Sequence, residues 1–353
     1  MSKTIRVLVV GLGTMGLSHA RAYRDVGGFE LAGLCSNRAA ARGDLAAEFP
    51  EVPRFDDFPA ALRQLGPDAV AICTYADTHA PLAIQAFAAG AHVFCEKPLA
   101  DTIGAAESVA AAARAAGRVL LVGYILRVHP SWTRFVELAR ELGKPLAMRM
   151  NLNQQSSGSH WQVHKKLMRT TSPIVDCAVH YVDVMCQIAQ SRPVGVHAVG
   201  VRLSDELAPH MFNWGHLHIA FANGSAGWYE VGWGPMMCET AHFIKDVIGP
   251  RGSVSMVAKG GASAEHEGHT STGALLLHHA ALDAQGRFAH PDEMIDTAAE
   301  PDHQGLCNLE QIAFRDAILH GRDLSAHHED ALNSLRIVLA ADESVRTGAA
   351  VRL

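Results

Sequence analysis

Apolar residues run without polar alternation through 5–10, 69–74, 91–95 and 119–123. Runs this short, bounded by glycines and polar turns, predict strands buried on both faces, as in a parallel sheet covered by helices. A further strand is predicted at 29–35. Between the strands the apolar spacing changes to three and four, which predicts helices over 16–26, 39–48, 80–89 and 103–116. Gly90 and Gly117 stand where the last two should end. Strand and helix thus alternate over residues 1–126, the pattern of an α/β doubly wound parallel sheet. After Arg127 the pattern changes. Residues 131–142 have helical spacing, 146–152 and 194–203 look like strands, and Asn223-Gly224 divides 218–233 into a hairpin. Helical spacing returns at 309–319 and 330–346. The expectation is a second domain over 127–353, built on a mostly antiparallel sheet with a few helices. The stretch 259–304 is polar, rich in glycine and histidine, and carries no assigned element.

Composition narrows the classes. A chain of 353 residues is too long for one small core, and two domains are the natural expectation. The 48% hydrophobic and 19% charged fractions suit a soluble globular enzyme. A net charge of −6 argues against nucleic acid as a partner. No apolar run has the length of a bilayer span, and no secretion signal precedes the first strand. Seven scattered cysteines without a C-x-x-C pair fit reduced thiols and a cytoplasmic protein. The 21 histidines form clusters at His216/His218, 265–269, His278/His279 and His327/His328. None has a third and fourth ligand at zinc spacing, so no metal is expected.

Four segments carry candidate chemistry. "VVGLGTMG" places Gly11, Gly13 and Gly16 in G-x-G-x-x-G spacing between the first strand and a helix. In that context Gly11 permits the turn, Gly13 lets a pyrophosphate approach, and Gly16 permits close packing, with Thr14 and Met15 opening the helix. The second strand ends in Ser36, Asn37 and Arg38, where an NAD site usually has a carboxylate. Nothing there repels a 2′-phosphate and Arg38 is available to pair with one, so NADP is favoured over NAD, with both open. "CEKPLADT" puts Glu96 and Lys97 at the end of a buried strand, and ligands bind outside the carboxyl ends of parallel strands. Both charges should therefore emerge into a cofactor cleft, aimed by Pro98, whose X–Pro bond can be cis at little cost. "SPIVDCAVHYVDVMCQIA" sets Asp176, His180, Asp183 and Gln187 as one polar stripe on an otherwise apolar helix. A carboxylate one turn from a histidine favours an imidazole that takes up a proton near neutral pH.

Together "VVGLGTMG", "AICTYADTHAPLAIQAFAAGAHVFCEKPLADT", "VGYILRVHP" and "DCAVHYVD" occur in the order found in the Gfo/Idh/MocA oxidoreductase family, which the chain resembles over nearly its whole length. The resemblance implies a Rossmann domain and a C-terminal α/β domain with an open, mostly antiparallel sheet. It implies hydride transfer between a nicotinamide and a hydroxyl or keto carbon of a sugar, sugar derivative or cyclitol. Lys97 would be the catalytic lysine, His180 the general acid/base, and Asp176 the residue that holds substrate hydroxyls and orients the histidine. Glu96 would contact the cofactor's sugar or the loop that holds it, and Thr74 and His79 would line the nicotinamide half of the cleft. Arg127 and Pro130 match the domain junction, and Arg127 joins the expected substrate-binding set. A positioned base contributes about 100- to 10,000-fold, and an ammonium beside a developing alkoxide on the order of 3 kcal/mol.

Thr171, Ser172 and Pro173 stand where many relatives have paired glycines, so no relative's sugar specificity transfers. The preceding segment, 155–169, carries His160, Trp161, His164, Lys165, Lys166 and Arg169. Its aromatic and hydroxyl-binding groups suit a carbohydrate, with His160, Trp161 and Lys165 as candidates, and its cations suit a carboxylate or phosphate. A solvated basic loop fits equally well. Two other classes stay open: a glycosidase using transient oxidation by held NAD, and a non-catalytic nucleotide sensor. Phe221, Trp228, Tyr229 and Trp233 predict a sheet face that closes a homodimer or homotetramer.

Overall fold

The computed structural model describes residues 4–238, 244–257, 272–297 and 300–353. It forms two compact units, Met1–Val128 with Pro301–Leu332, and His129–Glu300 with Asn333–Leu353. No helix among the described residues is long and apolar enough to cross a membrane.

The first unit is built on six parallel strands: β1 (Ile5–Val10), β2 (Phe29–Cys35), β3 (Arg54–Phe55), β4 (Ala69–Ile72), β5 (His92–Glu96) and β6 (Leu120–Gly123). Their order is β3-β2-β1-β4-β5-β6, which reverses direction between β1 and β4. Ligands bind at such a switch point in open α/β sheets. Helices α1 (Thr14–Asp25), α2 (Gly43–Glu48), α3 (Phe58–Leu65), α4 (Ala76–Ala88) and α5 (Ile103–Ala116) make the connections. The side chains of β1 and β4 are almost wholly enclosed, which is why no polar alternation marks them. The single helix expected over 39–48 is instead a 3-10 turn followed by α2. Arg42 is extended between the two pieces and its guanidinium donates to the Leu12 carbonyl at 2.7 Å, a tertiary bond that overrides alanine's helix propensity.

The second unit holds α6 (Pro130–Glu141), α7 (Gly158–Leu167), α8 (Val179–Ala189) and a nine-stranded sheet. The strands are β7 (Ala147–Gln155), β8 (Pro193–Val201), β9 (Trp214–Phe221), β10 (Ala226–Gly234), β11 (Lys245–Gly249), β12 (Gly252–Val257), β13 (Ala274–His279), β14 (Glu293–Asp296) and β15 (Val351–Arg352). Their order is β14-β13-β12-β11-β7-β10-β9-β8-β15. β7 and β10 run parallel, and every other pairing is antiparallel. The β9–β10 hairpin turns at Gly224, whose φ of +81° suits glycine, while the Asn223 side chain accepts the Ser225 N–H. The segment 155–169, equally open to a solvated loop, contains α7. Within 259–304, β13 and β14 are strands, whereas the 265–269 cluster lies outside the described residues.

Helices α9 (His303–His320) and α10 (Ser325–Thr347) follow β14 and precede the last strand, β15. The sequence pattern marked one boundary, after residue 126. The structure adds a return of Pro301–Leu332 to the first unit. Phe314 of α9 packs into the core of β1, β4 and β5, its ring 6.1 Å from that of Phe94. Apolar spacing alone shows that α9 buries a face and not which sheet receives it.

Candidate active site

In the first unit, the turn after β1 takes the shape a dinucleotide needs. Gly11 has φ +88°, and a Cβ there would lie 2.5 Å from the Cys73 carbonyl oxygen. A Cβ at Gly16 would lie 1.8 Å from the Gly11 oxygen, so α1 can start this close to β1 only with glycine. A Cβ at Gly13 would meet nothing within 4 Å, which leaves that side of the loop open. Gly13 is also the N-cap of α1 and supplies no side chain to its first amides, leaving them for a phosphate. These residues fit a nicotinamide dinucleotide. Ser36 is half-buried, and Asn37 and Arg38 are exposed at the end of β2, with Arg38 left-handed at φ +62°. The nearby Asp56 carboxylate accepts the Ala40 N–H at 2.9 Å.

At the end of β5 the two charges part. Lys97 is half-exposed, whereas Glu96 is only 6% exposed and turns inward. The expectation that both emerge is thus altered, because the period-two alternation of a strand sends neighbours to opposite faces. Glu96 Oε2 accepts the Lys97 N–H at 3.1 Å, and its Oε1 lies 2.8 Å from His19 Nε2. Gln311 of α9 donates its amide to His19 Nδ1 at 2.9 Å, which leaves the Nε2–H for Glu96. Burial pushes the Glu96 carboxyl up, but the hydrogen bond from His19 and the neighbouring Lys97 ammonium hold it below its ordinary value. Glu310, also on α9, is pushed well above the ordinary range by burial and by the Glu96 charge. Of two neighbouring buried carboxyls, one stays ionised and the other protonated. His19, Cys307 and Glu310 bring possible ligand atoms within 4.8 Å of one another, but both His19 nitrogens are already engaged.

The Lys97–Pro98 bond is cis. His79 is buried, with Nδ1 2.8 Å from the Pro98 carbonyl and Nε2 3.0 Å from that of Thr74. It ties the Lys97 turn to the end of β4 and presents no face for a ligand to cover. Its pKa is lowered by burial, against the two carbonyls that raise it. The Thr74 hydroxyl accepts from Thr78 at 2.7 Å. Arg127 pairs with Asp330 at 2.9 Å and sits over the Tyr124 ring, so its guanidinium already has a carboxylate partner.

In the second unit, Asp176 lies in a π-turn, Ile174–Ala178, which runs directly into α8 at Val179. Such turns widen a helix and recur at functional sites. Asp176 and His180 are half-exposed on an element that is otherwise buried, and Gln187 continues the stripe. Asp183 does not: it is 1% exposed and accepts from Gln187 Nε2 at 3.0 Å. Behind the stripe, Tyr181 stacks on Tyr229 at 4.9 Å and meets the edge of Trp132 at 5.5 Å. Ser172, in the departed glycine position, donates to Asp342 at 2.6 Å and caps the Val175 N–H. Burial raises the Asp342 carboxyl to about 6, against the Ser172 bond and Arg346. Gln154 accepts both the Trp233 indole N–H at 2.8 Å and the Cys177 thiol.

Elsewhere His160 is exposed, and Trp161 is buried with its indole donating to Glu206 at 3.0 Å. Lys165 pairs with the same carboxylate. His278 and His279 pair with Asp292 and Glu293, while His327 and His328 bond the backbone of Val122 and Leu120. Phe221, Tyr229 and Trp233 are buried inside the unit, which removes three of the four aromatics from the expected exposed face. Sequence reasoning missed His19, Gln311 and Glu310. The available signal for the first was its place beside the small and aromatic residues Ala20, Ala22 and Tyr23 that α1 buries.

Comparison with known proteins agrees with this geometry. Residues 5–124 match the oxidoreductase family with an NAD-binding Rossmann fold, and residues 138–255 match the GFO/IDH/MocA C-terminal domain. The chain belongs to the Gfo/Idh/MocA family. Among its Gfo/Idh/MocA relatives, inositol 2-dehydrogenase of Paracoccus denitrificans is 31% identical over 205 residues, 57% of this chain and 59% of that protein. The match thus spans less than two thirds of that relative's length. The scyllo-inositol 2-dehydrogenase (NAD(+)) of Bacillus subtilis is 25% identical, over 100% of this chain and 97% of its own. An oxidoreductase from Agrobacterium radiobacter, solved with NAD+, L-tartaric acid and magnesium, shares the fold with a TM-score of 0.78 at 18% identity, covering 99% and 98% of the two chains.

Proposed function

We propose that the protein is a dehydrogenase that uses NAD or NADP to oxidise or re-form a hydroxyl on a sugar, sugar derivative or cyclitol. The observation that carries this reading is the Lys97 turn, held from behind by Glu96, His19 and His79, in a chain that also carries Asp176 on a π-turn and His180 in the first turn of α8. When bound, the nicotinamide supplies the hydride acceptor. Residues Gly11 to Gly16, with Thr14 and Met15 at the helix start, hold the pyrophosphate. His180 takes the hydroxyl proton, and Asp176 orients the imidazole and binds neighbouring hydroxyls. The Lys97 ammonium stabilises the oxygen as its charge grows.

NADP is favoured over NAD on three observations. No carboxylate occupies Ser36–Asn37–Arg38, Arg38 is exposed there, and Asp56 is committed to the Ala40 amide. The test is a panel of sugars, inositols and sugar derivatives with each cofactor, read at the reduced-nicotinamide band. Turnover that disappears in Lys97→Ala and His180→Ala is the expected result. No signal with any polyol under either cofactor overturns the reading.

A further inference from the structure

The second unit carries a cavity of about 440 Å³ that the roles above do not use. One wall is cationic. Gln162, Lys165 and Lys166 of α7, with Arg169 in the turn that follows, line it at intervals that place them on one helix face. The apolar part of the lining is Leu207, Ala208 and Met211. Glu206 also lines it, and accepts from Lys165 and from the Trp161 indole. These two bonds hold its carboxyl below the ordinary value. The Arg169 guanidinium makes no hydrogen bond or ion pair with a described residue.

Both walls are built structures. Arg202 donates to the carbonyls of Leu207 at 2.9 Å and Asp205 at 3.1 Å, fixing the apolar loop. The turn carrying Arg169 is closed by the Met168 N–H on the His164 carbonyl at 2.9 Å and the Arg169 N–H on that of Lys166 at 3.3 Å. A helix C-terminus by itself favours cations. It does not explain the cavity they line with Leu207, Ala208 and Met211.

We propose that this cavity is an oxyanion site, which receives the carboxylate or phosphoryl group of a small molecule whose body lies against Leu207, Ala208 and Met211. Arg169 supplies the planar fork that grips two oxygens, and Lys166 a second charge. The size falls within the range of small-ligand sites, roughly 300–1,000 Å³.

The test is titration of the full chain with inorganic phosphate, followed by calorimetry, which needs no turnover and so stands or falls apart from the dehydrogenase activity. Saturable binding is expected, weakening as salt rises. Arg169→Gln should weaken it about tenfold and Lys166→Gln several-fold, whereas Glu206→Gln, which removes the neighbouring negative charge, should tighten it. Both cations are exposed, so the variants should fold. Absence of saturable binding, or binding unchanged in Arg169→Gln, overturns the proposal. A second arm identifies the source of the anion. A sugar phosphate or sugar acid that displaces phosphate and has a lower KM than its neutral parent, a difference lost in Arg169→Gln, makes the anion the substrate's own. Displacement without a KM difference makes it a separate ligand at the same site.

Discussion

The two units present their candidate catalytic groups from opposite kinds of support. In the first, Lys97 stands on charge. Its amide is held by Glu96, Glu96 by His19, and His19 by Gln311, all but the lysine deeply buried. In the second, Asp176 and His180 stand on shape. A π-turn sets their direction, and the layer beneath them is aromatic, Tyr181 against Tyr229 and Trp132. Support by buried charge is unforgiving, since removing one partner leaves the other desolvated and alone. Support by packing tolerates more, because neighbouring side chains partly close the gap.

The largest effects should be on turnover, and should be equal in kind for the two halves. Lys97→Ala and His180→Ala are each expected to lower kcat about 100- to 10,000-fold, with melting temperatures unchanged because both side chains are half-exposed. A loss in only one of them would break the symmetry of the two halves.

The next effect separates them. His19→Ala strands the buried Glu96 carboxylate and should cost about 3–5 kcal/mol, read as a melting temperature lower by roughly 10 °C. The same network sets an acid dependence. Because Glu96 is ionised below its ordinary range, its contribution is complete above the unfolded carboxylate's pKa and is lost as pH falls through the lower folded value. His19→Ala should therefore flatten the acid limb of the stability curve; an unchanged limb would show that the charge is held by something else. Milder variants sharpen the point. Glu96→Gln should lower kcat more than it raises KM, the result expected of a residue that positions Lys97 through its backbone N–H.

The second unit has a buried cation. Lys245 is enclosed under Tyr181, donates to the Asn151 carbonyl at 2.6 Å, and has its pKa lowered by burial to about 7. The unfolded chain holds that proton up to the ordinary 10.5, so between the two values the unfolded state binds more protons and stability rises with pH. Lys245→Met should remove that rise in denaturant midpoints measured from pH 7 upward. A slope that persists would assign it to other groups.

The smallest effect concerns association. Trp228 is the half-exposed member of the four hairpin aromatics. Trp228→Glu should change the stability of the chain by no more than about 0.5 kcal/mol, yet shift sedimentation toward the monomer if this sheet face joins two copies. An unshifted profile would move the interface elsewhere.

Much of this was legible along the chain. The strands at Ile5–Val10 and Phe29–Cys35 and the helix Ile103–Ala116 follow directly from apolar spacing and from Gly117, because local periodicity is what a buried strand or a one-sided helix requires. The G-x-G-x-x-G turn, the Asn223-Gly224 hairpin and the Asp176–His180 spacing are local as well. What the sequence could not determine was which distant residues share an interior. His19 and Gln311 lie 292 positions apart, and nothing in one sequence links them. The inward turn of Glu96, the π-turn under Asp176 and the return of α9 to the first sheet were likewise decided only by packing. The physical reason is the same for each. Short-range spacing records which face of an element is buried, whereas a buried charge must find its partner wherever the folded chain brings one.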